Sequence, residues 1–182
     1  MHRTALIATV AALALSGCGE TPSEGRAPGA APAFTYAAAG DLSGYFMPMG
    51  EVRAGPWKLD HVFVGQAPEF QAWAAGERSA SFAPVMLQFH KAGSSAAGSA
   101  PGEAAADVAR VLPTSYEVSD VQVRFEGRSA KLGLVRFDGR LDQGALATAR
   151  RNLGDESAVL TGSLKIGDAR PQAVRLRWWM GD

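Results

Sequence analysis

The groups in this 182-residue chain that can do chemistry are three histidines, five methionines, one cysteine and eighteen carboxylate side chains. His61 stands between Leu59 and Phe63, which strand alternation puts on its own face, and reads as a hydrogen-bonded, partly buried imidazole. His90 ends a strand on its polar side. No two histidines stand at i, i+2 or i, i+4, so a zinc centre lacks its ligand set. Met47-Pro48-Met49 puts two thioethers on one side of a strand. Thioether with imidazole suits copper in an oxidising compartment, which makes Met47, Met49, His61 and His90 the metal candidates. The competing role for methionine is to fill irregular gaps in a core. There is no G-x-S-x-G elbow, and Asp60, Glu69, Asp120 and Asp138 are scattered. Gly127, Gly133 and Gly139 fall on a strand pair rather than between strand and helix, which is wrong for a phosphate loop. The residues therefore point to no catalytic set and no cofactor, and to a binding or assembly module instead of an enzyme.

The remaining chemistry is recognition. Trp178-Trp179 sits on an alternating strand, so one ring faces the core and the other does not. Arg175 and Arg177 share the side of Trp179. Arginines beside an outward tryptophan form a docking strip, and these three are the partner-binding candidates. The plainer role is arginine stems covering an indole.

Where the chain works is written in its first eighteen residues, MHRTALIATVAALALSGC. A short basic start precedes an apolar run from Ala5 to Leu15, of signal-peptide length and too short to remain as a spanning helix. Leu15-Ser16-Gly17-Cys18 resembles the lipobox of bacterial lipoproteins. The resemblance implies a diacylglycerol thioether on Cys18, cleavage before it and acylation of the new amino terminus (palmitate-type chains). Residues 1–17 are then a signal peptide. Gly19, not aspartate, follows the cysteine, which in that family directs the protein to the outer membrane. The expected place is the outer membrane of a diderm bacterium, on its periplasmic side.

The elements that must position these groups follow. Residues 18–40, rich in Gly, Ala, Pro and Ser, read as a flexible tether, in which Phe34 and Tyr36 interrupt the run as residues able to touch the domain. Random-coil scaling gives such a tether a reach of roughly 25 Å. Residues 41–182 are one domain with a low-complexity loop at 92–106, enough chain for a single core. Lys and Arg number 18, balancing the acids, which excludes broad electrostatic capture of nucleic acid. With the one cysteine lipidated, the domain folds without a disulfide. Alternation predicts strands over 45–52, 58–64, 82–90, 116–125, 130–141, 159–166 and 173–180. In the fourth of these, the change of face at Ser119-Asp120 predicts a bulge. Helices are expected over 68–75, ended by Gly76, and from an Asp142 cap through Asn152, with Leu146, Ala149 and Leu153 inward. A third brief helix would carry Val108, Val111 and Leu112. Residues 45–90 and 116–166 both run strand, strand, helix, strand, the pattern of an internal duplication. The fold class is mainly β (α+β): a curved antiparallel sheet or barrel-like sandwich with one to three short helices.

One further likeness lies in Val159-x-x-Gly162-x-Leu164-x-Ile166-Gly167-x-x-Arg170-Pro171-x-x-Val174-x-Leu176, with Trp57-x-x-Asp60. These positions resemble the closing hairpin and the opening of the YceI-like periplasmic lipid-binding barrels. The spacing departs around Pro171-Gln172-Ala173. That resemblance implies an apolar, isoprenoid-like ligand inside a barrel. Two functions are thus expected, an envelope-protein docking module and a carrier of a small apolar ligand. An apolar face outside the sheet marks the first and an open interior marks the second.

Overall fold

The computed structural model describes residues 34–93 and 107–181. Cys18, most of the tether and most of the 92–106 loop lie outside the described residues. The strands are β1 (Phe34–Ala37), β2 (Gly44–Pro48), β3 (Arg53–Ala54), β4 (Trp57–Val64) and β5 (Val85–Lys91). They continue with β6 (Val108–Val111), β7 (Pro113–Ser119), β8 (Gln122–Ser129), β9 (Gly133–Leu141), β10 (Leu160–Ile166) and β11 (Gln172–Trp179). The helices are α1 (Ala67–Ala74) and α2 (Gln143–Arg151). All strands join one sheet in the order β1-β7-β8-β9-β10-β11-β2-β4-β5-β6, with β3 on β4. Only β1–β7 is parallel among these pairings.

The sheet curls into a half-barrel, as the mainly-β expectation requires. β6 and β7 are one run interrupted at Leu112, pairing first with β5 and then with β8. Gly127 of β8 lies so close to this run that a Cβ would stand 2.8 Å from Val111 Cγ1. The curl turns one side chain in two inward. Phe46, Val62, Leu87, Val111, Val123, Val135, Leu164 and Leu176 are fully buried, and Phe137 nearly so. A side chain lining a space that admits even one water keeps accessible area towards it. The fully buried ones keep none, so no water-sized space opens beside them and they belong to one continuous apolar cluster.

Both main helices form where the sequence places them. α1 carries Pro in its first turn, begins with Glu69 Oε2 accepting from the Gln66 N–H while the Glu69 N–H donates to the Gln66 carbonyl, and is followed by Gly76 at φ +95°. It buries Phe70 and Trp73, with Phe70 stacked on Tyr36 and edge-on to Tyr116. In α2, Asp142 accepts from Ala145 N at 2.9 Å, and Leu146 and Ala149 turn inward. Segments β2–β4–α1–β5 and β8–β9–α2–β10 share one layout, three sequential antiparallel strands with a helix before the third.

Several expectations are corrected. Phe34–Ala37, inside the stretch read as tether, pairs with β7, because Phe34 and Tyr36 supply rings that cover Trp73, Tyr116 and Phe70. The third helix is instead strand β6, whose backbone is recruited by β5. The bulge at Ser119-Asp120 is a hairpin turn, and Glu126-Gly127-Arg128, which the sequence reads as the turn between the strands expected at 116–125 and 130–141, runs inside β8. Both patterns shift the inward face by one residue, so alternation alone does not separate them. Leu153 is 67% exposed rather than inward, and Met180, which alternation puts in line with Val174, Leu176 and Trp178, is 58% exposed, since each lies past the end of its element. Pro48 sits where β2 has left β4 and keeps only β11 beside it, an edge in effect.

Candidate functional site

A β-bulge sets the outer wall. β4 pairs Leu59 with Phe89 and then His61 with Gln88, leaving Asp60 as the extra residue. Leu59 therefore points in while His61 and Phe63 point out, which corrects the expectation that the three share a face. The Asp60 carboxylate accepts from His61 Nδ1 at 3.0 Å and Gln88 Nε2 at 3.0 Å, and His90 Nδ1 lies 3.8 Å from its other oxygen. Arg110 in turn donates to Gln88 Oε1 and to the Ser81 carbonyl. The His61 hydrogen bond, helped by Gln88 and the His90 charge, outweighs partial burial and holds the Asp60 carboxyl below its ordinary value.

That shift has a definite sign. A carboxyl whose folded pKa is depressed contributes stability above its unfolded value of 3.8, and loses it as pH falls through the folded value. Asp60→Asn is expected to be less stable than the parent at pH 7, with the gap closing as pH drops below 3.8. Urea midpoints of both proteins from pH 7 to pH 2.5 check it. A constant gap across that range would show that the Asp60 charge contributes nothing.

The two candidate metal histidines share one carboxylate. His61 and His90 both turn Nδ1 to Asp60, and Met47 and Met49 lie on the neighbouring strand and just beyond its end. Among the described residues no three His, Cys, Asp or Glu side chains form a metal-holding group.

Recognition groups do assemble. β11–β2 pairing sets Trp179 opposite Tyr45, β2–β4 sets Tyr45 opposite Phe63, and β4–β5 sets Phe63 opposite Met86. These four residues form one rank across four strands on the outward side of the curl, where polar residues are the rule; the three rings are partly exposed, while Met86 is covered and packs with the core. Ring centroids are 5.6 Å apart for Tyr45–Trp179, 5.3 Å for Tyr45–Phe63 and 5.7 Å for Phe63–Phe82, within the aromatic contact range. The His61 ring stands edge-on to Tyr45 at 4.9 Å. Arg175 is exposed and Arg177 partly so on the same wall, so all three predicted partner residues share one surface.

The rank runs into a cleft of about 620 Å³ at one end of the sheet, lined among others by Tyr45, Phe63, Trp178 and Met180. Its charges are engaged. Arg150 pairs with Asp41 Oδ2 at 3.3 Å, donates to the Ser43 carbonyl at 3.0 Å and lies over the Trp178 ring. Trp178 Nε1 donates to the same carbonyl at 2.9 Å. Burial would raise the Asp41 carboxyl, but the Ser43 N–H and Arg150 outweigh it and hold it low. Glu69 Oε2 accepts from Gln66 N at 2.6 Å. The cleft thus offers aromatic and thioether surface, with its polar groups holding the fold. Sequence reading missed Tyr45, Phe63, Phe82 and Met86. Their signal was an outward aromatic or methionine in each of three predicted strands, and only register shows that these align.

Comparison with family profiles, with curated proteins and with solved structures finds no match to this chain.

Proposed function

We propose that the chain is an outer-membrane lipoprotein, anchored through Cys18 and facing the periplasm, whose β domain is a protein-docking module. The observation that carries the docking part is where the spare apolar surface lies. Trp179, Tyr45, Phe63 and Phe82 are outside the curl, while the inward residues Val135, Phe137, Leu164 and Leu176 pack on one another. A docking protein needs aromatic anchors on its outside. A lipid carrier needs them around a cavity. The carrier alternative rests on the YceI-like hairpin residues, and the packed interior weighs against it. The anchor rests on the Leu15-Ser16-Gly17-Cys18 sequence.

The test places a photo-crosslinking benzoylphenylalanine at Met180, which is exposed at the rim of the cleft. Irradiated cells should yield one defined adduct with an envelope protein, reduced about tenfold or more by Trp179→Ala. The same crosslinker at Arg128, outside the wall, should yield none. No adduct, together with a bound apolar molecule in native mass spectrometry, would reverse the choice between the two functions. Cys18→Ser should release the protein from membranes and leave its signal uncleaved. Unchanged fractionation would remove the anchor.

A further inference from the structure

The docking wall is electrostatically one-sided in a chain whose charges balance. The outward side chains of β9, β10 and β11 include Arg136, Asp138, Arg140, Lys165, Arg175 and Arg177. Asp138 is engaged by Arg124 and Gln122, and Arg136 by Glu126. Arg140, Lys165, Arg175 and Arg177 have no acidic partner among the described residues. Pairing sets Arg140 and Arg175 on either side of Thr161, so two unpaired guanidiniums flank one hydroxyl. Two inter-strand steps separate them, about 10 Å, and the period-two spacing of Arg175 and Arg177 is about 7 Å. Arg140 and Thr161 also line a groove of about 470 Å³ with Val121, which is 63% exposed.

Resting on the docking reading, we infer that the partner of this wall is an acidic polypeptide. Its carboxylates pair with Arg140, Arg175 and Arg177, and apolar side chains meet Val121 on one flank and Trp179 on the other. Three features favour this over an anionic membrane. Three of the four unpaired cations on β9, β10 and β11 are arginines, with Lys165 the fourth, and the arginine fork takes a carboxylate through two hydrogen bonds. Arg175 and Arg177 match an extended segment with an acid at every second residue. The surface from Arg140 on β9 to Phe63 on β4 also spans four inter-strand steps, about 19 Å of convex arc. A planar bilayer touches only the crest of such an arc, whereas a polypeptide follows it.

The test uses an alternating glutamate–threonine octapeptide, its glutamine counterpart, and vesicles of phosphatidylcholine and phosphatidylglycerol. The acidic peptide should bind the parent at low salt, weaken as salt rises, and lose about tenfold or more in affinity to Arg175→Glu/Arg177→Glu. The glutamine peptide should not bind. Equal binding of both peptides, no binding of the acidic one, or vesicle binding abolished by the same double variant would each overturn the inference. The Met180 crosslink separates this from the docking reading. An adduct unchanged in the arginine variant keeps docking and removes the acidic partner. An adduct lost in that variant but restored by a charge reversal on the captured protein supports both.

Discussion

Gly162→Ala is expected to lower the melting temperature by about 2–12 °C, while Gly50→Ala leaves it unchanged. Gly162 of β10 pairs directly with Gly139 of β9. A Cβ at Gly162 would stand 2.7 Å from Gly139 Cα and closer still to the Asp138 carbonyl oxygen, both backbone atoms. A flexible side chain can give way, but a neighbouring strand can move only by opening its ladder. Overpacking of that kind costs typically 1–3 kcal/mol and more where backbone is displaced. For a domain of this size each kcal/mol shifts the midpoint by about 2–4 °C. A Cβ at Gly50 meets nothing within 4 Å, so it controls for the change of residue type. Thermal unfolding followed by near-ultraviolet circular dichroism measures both. A Gly162→Ala midpoint within about 2 °C of the parent would mean that β9 and β10 are not packed as described.

Leu176→Ala is expected to cost about 2–5 kcal/mol, because truncating a buried leucine removes transfer energy and leaves a cavity. Leu176 on β11 is fully buried and pairs with Leu160 and Pro48. The measurement also separates the two proposed functions. In a hollow carrier Leu176 would already face empty space, and truncation would cost well below that range. A packed interior predicts the full cost and a second sign as well. Xenon or benzene should stabilise the variant and leave the parent unaffected, since an apolar cavity stays dry and takes apolar guests. Stabilisation of the parent by either guest would show that it has room inside and would return the carrier function to first place.

The chain determined by itself whatever depends on neighbours in sequence. Asp142 before one helix, Pro68 at the start of the other and Gly76 after Ala75 are local hydrogen-bond and dihedral facts, so both main helices could be read from them. Alternation in Val85, Leu87 and Phe89, and in Val174, Leu176 and Trp178, likewise identified inward faces and the closing hairpin. The β-rich class followed from how often that pattern returns. Reading failed where two local structures leave the same trace. A bulge and a two-residue turn both move the face by one, so alternation cannot tell the Ser119-Asp120 turn from a bulge, while the register shifts at Asp60 and between Pro113 and Ser115 leave no local mark. Val108–Val111 is too short for period to decide, and only the free edge of β5 makes it a strand. The candidate site divides in the same way. Arg175, Arg177 and Trp179 share a face through the period of one strand, and that was legible. Their continuation into Tyr45 and Phe63, or into Arg140, depends on inter-strand register, set by long-range pairing across more than a hundred residues for Tyr45 and Trp179. Whether the inward residues met or enclosed a space depended on how tightly the sheet curls, which no stretch of one strand records.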